Sequence, residues 1–224
     1  MTQVNKEHYC RKKYDDLDRF ISYFYQVDLT QQVAQRDANM RMHANDTNEP
    51  RILEVGKGNG FFSNYMKKNG HSVTTADFDG SLNPDIVADI RSLPISDKSF
   101  DIVTAFEVLE HISYEDFPKA LRELQRVSKK HVIISLPYRS TGWEFVFKFP
   151  GIRTLLKKSF LSFFLRLPLK FNGIKTSGQH YWEIDLYRWR IRKIRKELNK
   201  YFRIIKEVRP VLDHYHKFFV LEKL

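Results

Sequence analysis

Arg51-Ile52-Leu53-Glu54-Val55-Gly56-Lys57-Gly58-Asn59-Gly60-Phe61-Phe62-Ser63 is the stretch whose reading decides the fold. A short apolar run reads as a buried strand, three glycines follow at alternate positions, and Phe61, Phe62, Tyr65 and Met66 then recur at helical spacing. A strand that turns through glycines into a helix brings bare backbone amides to a ligand at the helix N-terminus. A Cβ there would block both the turn and the close approach. Glu54 sets a carboxylate at the carboxyl end of that strand, where open α/β sheets bind ligands. Taken alone, the motif also reads as a strand–turn–helix without a ligand.

The glycine spacing separates ligand classes. A dinucleotide site takes G-x-G-x-x-G; here the third glycine comes one position early and Phe61 occupies its place. Roughly twenty residues on, His71-Ser72-Val73-Thr74-Thr75-Ala76-Asp77 reads as a second strand ending in an acid, where a parallel nucleotide-binding sheet presents a carboxylate to ribose hydroxyls. Asp89-Ile90, Leu93-Pro94-Ile95-Ser96-Asp97-Lys98-Ser99-Phe100-Asp101 and Ile102-Val103-Thr104-Ala105-Phe106-Glu107-Val108-Leu109-Glu110-His111-Ile112 complete the pattern. The acid plus G-x-G-x-G resembles motif I of the class I S-adenosylmethionine-dependent methyltransferases, and the later run resembles their type 11 branch. The resemblance covers roughly residues 50 to 138.

That resemblance implies a Rossmann-like α/β fold: a seven-stranded, mostly parallel sheet with an antiparallel last strand and helices on both faces. It implies S-adenosylmethionine as cofactor, with Gly56, Gly58 and Gly60 wrapping its amino-acid end and ribose. Glu54 would orient the loop and reach the methionine amine through water. Asp77 would take the ribose hydroxyls, with Asp79 as the competing candidate. Asp89 would accept from the adenine amino group beside the Ile90 amide, Phe78 would lie on the adenine face, and the backbone at Glu107 would line the methionine portion. Lys57 departs from the Cys or Ser common at that place and adds a positive charge to the cofactor-binding set.

On the acceptor side, His111 either faces the acceptor or serves helix packing. His180, Tyr181 and Glu183 combine a base, a phenol and a carboxylate, so His111, His180 and Tyr181 are the candidate catalytic residues. Methyl transfer from a sulfonium is an in-line displacement that requires donor and acceptor held collinear and dry. No metal is needed for it, and none is expected: His214 and His216 alternate on a strand without a third ligand. The place after the fourth strand reads Phe106-Glu107-Val108-Leu109, not N/D-P-P-Y/F, and Cys10 lies far from it; sequence-specific DNA modification is disfavoured.

The 224 residues suffice for one domain with additions. No apolar run reaches eighteen residues, the polar segment from Met1 to Lys13 is not a secretory signal, and the single cysteine, Cys10, forms no internal disulfide. A cytoplasmic setting, with peripheral membrane association as an option, is the expectation. The net charge of +11 is uneven: residues 139–224 carry 20 Lys and Arg against 7 Asp and Glu. That asymmetry points to a polyanionic partner (RNA, an anionic membrane surface or an acidic substrate) or to a solvated basic face.

In chain order, residues 1–49 read as an N-terminal helical lid segment, with helix between Tyr14 and Gln35 and a loop over 36–50; Tyr23 or Tyr25 either touches ligand or packs in the core. Residues 50–224 form the methyltransferase domain. Its expected strands are 51–55, 72–77, 85–88, 101–106 and 130–136, with helices at 60–69 and 115–127, Gly70 as a C-cap and Ser113 to Asp116 as an N-capping signature. Residues 139–185 read as a basic amphipathic substrate-side insertion, helical from Gly151 to Phe171 and broken at Pro168. A basic helix from Leu186 to Asn199 and a final hairpin, 201–209 and 215–223, follow. The leading function is a methyltransferase acting on an anionic, glycan-related or membrane-proximal acceptor. The alternative is a non-catalytic module of the same fold binding RNA or anionic lipid. A nicotinamide-dependent oxidoreductase is disfavoured by the glycine spacing.

Overall fold

The computed structural model describes residues 16–43, 49–139, 142–157, 159–167, 180–185, 189–213 and 215–224. Seven strands make one sheet: β1 (Arg51–Val55), β2 (Ser72–Asp77), β3 (Ile86–Val87), β4 (Phe100–Phe106), β5 (Ser128–Pro137), β8 (Phe202–Val208) and β9 (His216–Lys223). The order is β3-β2-β1-β4-β5-β9-β8, with the first five parallel and β9 antiparallel between β5 and β8. The expected architecture is therefore present, and its last strand slots in as anticipated.

The central strands are buried apart from Arg51 at the start of β1 because helices cover both faces, so they read as largely apolar runs and do not alternate. Successive side chains still go to opposite faces. Leu53 and Val55 join the core beneath α3 (Phe117–Val127) and α5 (Ile191–Leu198), whereas Ile52 joins Phe62 and Met66 of α2 (Phe61–Lys68) and Val27 and Leu29 of α1 (Asp16–His43). Gly70 ends α2 as expected. At φ +89 it donates its N–H to the Lys67 carbonyl (3.0 Å), and His71 donates to Met66 (3.1 Å), a Schellman ending.

Three expectations need correction. Helix α1 runs to His43, so residues 36–43 are not loop. Polar contacts hold the extra turns down: Asp37 pairs with Lys130 (3.3 Å) and hydrogen-bonds the His131 ring (3.2 Å), and Arg41 pairs with the buried Asp101, which also accepts from the Arg51 N–H at 2.8 Å. Such long-range contacts are invisible to local propensity. The insertion is not one long amphipathic helix. It forms β6 (Gly142–Phe147), a short α4 (Ile152–Leu156) and β7 (Leu161–Arg166), with β6 and β7 paired antiparallel from Gly142↔Arg166 to Phe147↔Leu161. Its phenylalanines suit a pleated surface and the pairing satisfies the backbone. Pro168 lies outside the described residues. Finally, α3 starts at Phe117 and α5 at Ile191, each later than expected. Ser113 Oγ accepts from the Asp116 N–H (3.3 Å), one turn ahead of α3, and Asp185 accepts from the Ile191 N–H (3.2 Å), fixing the entry of α5. Among the described residues no helix is long and apolar enough to cross a membrane.

Candidate active site

Strand order reverses at β1, between β2 and β4, and the crevice beyond the carboxyl ends of these strands is where such sheets place ligands. Gly56 continues the ladder by donating to the Ala76 carbonyl (2.8 Å) and then turns at φ +88. A Cβ on it would lie 2.2 Å from Val108 Cγ2, so the loop runs against the segment just beyond β4 at a distance only glycine permits. Gly58 and Gly60 are also left-handed, at φ +52 and +73, and Gly60 stands at the N-terminus of α2. Lys57 does not send its charge into the crevice. Its ammonium donates to the carbonyls of Leu82 and Asn83 (2.8 and 2.5 Å), tying the glycine loop to the loop after β2.

Two carboxylates back this loop. Asp77, buried at the end of β2, accepts from the N–H groups of Gly58 (3.2 Å) and Asp79 (3.0 Å). Asp79 caps the turn that follows, accepting from the Ser81 N–H at 2.9 Å, which leaves Asp77 as the acid facing the glycines. Glu54 is buried at the end of β1, and its Oε2 meets no hydrogen-bonding group among the described residues. Burial lifts its pKa to about 8 against a hydrogen bond from Ser63, with the neighbouring Asp77 charge adding to the rise. A neutral acid of this kind becomes a carboxylate when a cation arrives.

Ala88 donates to the Asp77 carbonyl (2.8 Å), which sets Asp89 and the buried Ile90 beside Asp77 and the half-exposed Phe78. Asp89 is not a bare acceptor. Arg91 grips both of its oxygens (2.9 and 2.6 Å) and reaches Asp116 at 2.7 Å, and these bonds, against partial burial, hold the Asp89 carboxyl below its usual range. Asp89 Oδ1 also accepts from the Arg91 N–H (2.8 Å), so Arg91 fixes the side chain in place and leaves acceptor capacity at Oδ2.

Glu107, whose backbone is the part expected at the methionine portion, commits its side chain elsewhere. At φ +56 it is a non-glycine residue in the left-handed region at the tip of β4. Its side chain bonds the Ser135 hydroxyl and pairs with His216 (2.7 Å), itself held by Asp213 at 2.6 Å. Burial opposes ionisation of Glu107, yet the charge and hydrogen bond of His216, with Ser135, keep its carboxyl below the ordinary value. His216 sits well above its own ordinary value, since the Glu107 and Asp213 charges outweigh its burial. The expected His214–His216 pair falls partly on His214, which lies outside the described residues.

Beyond Glu107 a short turn, Leu109–His111, carries Glu110 and His111. The His111 and His180 rings meet edge to face at 4.9 Å. His180 arrives on a segment anchored by Tyr181 N–H to the Glu110 carbonyl (2.9 Å), Ile184 N–H to Pro137 (2.9 Å), and the buried Trp182, whose indole donates to Ile112 at 3.2 Å. Two of the three candidate catalytic residues are thereby neighbours. Tyr181 is tied in by its backbone, and its side chain is exposed. Glu183 holds His180 Nδ1 (3.1 Å), Arg139 (2.9 Å) and the Tyr215 hydroxyl (3.0 Å). Glu110, Arg139, Ser135 and Tyr215 escaped the sequence reading; only the L-E-H-I run signalled Glu110. On the other flank, Tyr23 of α1 stacks on Phe61 at 4.3 Å and accepts from Asn59 (2.6 Å), while Tyr25 packs on Phe218 away from the loop.

Residues 53–136 match the family model described as a methyltransferase domain. A malonyl-[acyl-carrier protein] O-methyltransferase of Erwinia pyrifoliae is 32% identical over 118 residues, 48% of this chain and 43% of that enzyme. The same enzyme of Serratia marcescens is 30% identical over 120 residues, 48% and 46% of the two chains. The chain thus matches less than half the length of these curated relatives. Among solved structures, the magnesium protoporphyrin IX methyltransferase of Synechocystis PCC 6803 with bound SAH aligns with a TM-score of 0.55 at 14% identity, covering 98% of this chain and 92% of that one, a likeness of fold. Glycine loop, strand order and family match agree: residues 53–136 match a methyltransferase domain, within a chain that has the Rossmann-like fold of the class I S-adenosylmethionine-dependent methyltransferases.

Proposed function

We propose that the chain transfers a methyl group from S-adenosylmethionine to an anionic acceptor with an apolar portion, glycan-related or membrane-proximal. The observation that carries the cofactor part is the run of three left-handed glycines backed by the buried carboxylates of Glu54 and Asp77. In this reading Asp77 takes the ribose hydroxyls, Asp89 and Ile90 the adenine edge, Phe78 its face, and Glu54 the methionine ammonium, whose arrival ionises it. Glu107 acts from beneath, by fixing the backbone at the tip of β4. The acceptor lone pair bonds to the methyl carbon as the carbon–sulfur bond breaks and its electron pair goes to sulfur, with the acceptor proton leaving. In this reading His111 and His180, whose rings meet at 4.9 Å, are the side chains beside the acceptor.

Residues 1–49 act as a lid, supported by the Tyr23 contacts with Phe61 and Asn59. The acceptor side is supported by the β6–β7 hairpin, which exposes Trp143, Phe147 and Phe163 within the strongly basic half of the chain. The matched relatives are named for O-methylation of a carrier-bound acid, which favours an oxygen acceptor. Radiolabelled S-adenosylmethionine offered with lipid-linked glycans, malonyl-acyl-carrier protein and RNA in parallel tests the assignment. Label in the lipid-linked pool is expected. Label confined to the other acceptors refutes the acceptor class, and binding of RNA without label in any pool favours the non-catalytic module.

A further inference from the structure

We propose that Glu110, His111 and His180 form a binding site for a divalent transition-metal ion beside the cofactor crevice. One oxygen of Glu110 and one ring nitrogen from each histidine all lie within 4.8 Å of one another. Glu110 is fully buried, and neither carboxyl oxygen has a hydrogen-bond partner among the described residues. A buried carboxyl left without partners is rare and destabilising, and a cation answers it directly.

The surroundings are those of a ligand set. His180 Nδ1 faces Glu183 at 3.1 Å, and Glu183 is itself fixed by Arg139 and Tyr215 (2.9 and 3.0 Å). A carboxylate on one ring nitrogen selects the tautomer that offers the other, Nε2, to a metal. The backbone bond from Tyr181 to the Glu110 carbonyl locks the two segments in register, so the three ligands are held before any ion binds. Two imidazoles and one carboxylate suit zinc, manganese, iron or cobalt better than magnesium or calcium. The ligands come from two segments far apart in the chain, so no local spacing of histidines signals the site, and the expectation of no metal from His214 and His216 does not bear on it.

Three protein ligands leave coordination positions for an acceptor oxygen. This part rests on the methyl-transfer reading: the ion would lower the pKa of an acceptor hydroxyl, whose proton passes to solvent, and the resulting oxyanion forms the carbon–oxygen bond while sulfur keeps the electron pair of the bond that breaks.

The test uses the full chain without a histidine tag, stripped of metal and titrated with cobalt(II) chloride, followed by visible absorption and calorimetry. One equivalent of cobalt should bind with a ligand-field band. His111→Ala and His180→Ala should abolish the band, and Glu183→Gln should weaken binding ~10–100-fold. Binding of S-adenosylhomocysteine, measured on every variant, reports folding and the cofactor site separately. No cobalt binding by the intact chain, or equal binding by the two histidine variants, overturns the metal site even if S-adenosylhomocysteine binds; cobalt binding without S-adenosylhomocysteine overturns the cofactor reading instead. If a variant does not fold, the anomalous signal from unmodified crystals soaked in zinc chloride decides: a peak among the three side chains supports the site, and a peak elsewhere or none overturns it.

Discussion

Replacing Gly56 with alanine isolates how tightly the glycine loop is built against the tip of β4. The added Cβ lies 2.2 Å from Val108 Cγ2, far inside any real contact, at a backbone φ of +88 that L residues rarely adopt. Retreat is blocked on the other side by the 2.8 Å hydrogen bond from Gly56 to Ala76. The left-handed backbone costs ~1–2 kcal/mol and the overpacking ~1–3 kcal/mol. Together these give ~2–5 kcal/mol, or a melting point ~4–20 °C lower for a domain of this size. Gly70→Ala is the control, because it has the same backbone sign, φ +89, with nothing within 4 Å of its Cβ. It should lose only the backbone part, ~1–2 kcal/mol. Val108→Ala placed in the Gly56→Ala background should recover the steric part, a coupling of ~1–3 kcal/mol in a double-mutant cycle. Urea denaturation of the unmodified chain, Gly56→Ala, Gly70→Ala, Val108→Ala and the double variant measures all of this. If Gly56→Ala is no more damaging than Gly70→Ala, or shows no coupling to Val108, the close approach of the two loops is wrong.

Glu54, with its pKa raised to about 8, is protonated at pH 6.5 in the free protein, so binding S-adenosylhomocysteine should release ~1 proton as the ligand ammonium ionises it. Calorimetry in buffers of different ionisation heat reads that release; Glu54→Gln should abolish it. Because the folded form keeps the proton that the unfolded form loses above its ordinary 4.5, this residue should also make stability fall between pH 4.5 and 8, by up to ~1.4 kcal/mol per pH unit, and Glu54→Gln should flatten that slope. Asp89→Ala should weaken S-adenosylhomocysteine by ~1–3 kcal/mol; an unchanged dissociation constant would move the adenine pocket elsewhere. His216→Phe strands the buried Glu107 carboxylate and should cost ~3–5 kcal/mol of stability, whereas a loss under ~1 kcal/mol would show that the pair is not charged. The His216 share is present below its ordinary 6.5 and fades as pH rises through its raised value, while the Glu107 share is present above 4.5 and fades as pH falls through its lowered one.

The parallel sheet was legible because its strands are short runs rich in apolar or β-branched residues bounded by glycine, proline or acid, and the ligand-facing loop because the three alternating glycines are followed by a second strand that ends in an acid. Asp77 could be nominated by its place at the end of the second strand, and Asp89 by the resemblance of the run that it opens. What sequence could not supply was partnership: that Lys57 spends its charge on Leu82 and Asn83, that Arg91 already holds Asp89, or that Glu107 belongs to a buried chain running through His216 to Asp213. These depend on which residues the fold brings together across many positions. The insertion misled for a different reason. Phenylalanine and leucine recurring at three and four also satisfy a strand when a partner is present, and β6 supplies one.

Calorimetric titration of the unmodified chain and of Asp77→Asn with S-adenosylhomocysteine tests the central claim most directly. The account predicts saturable one-to-one binding by the unmodified chain, weakened by ~1–3 kcal/mol in the variant, where the ribose hydroxyls lose their charged acceptor. No heat of binding by the unmodified chain, or equal affinity in the two proteins, would contradict it.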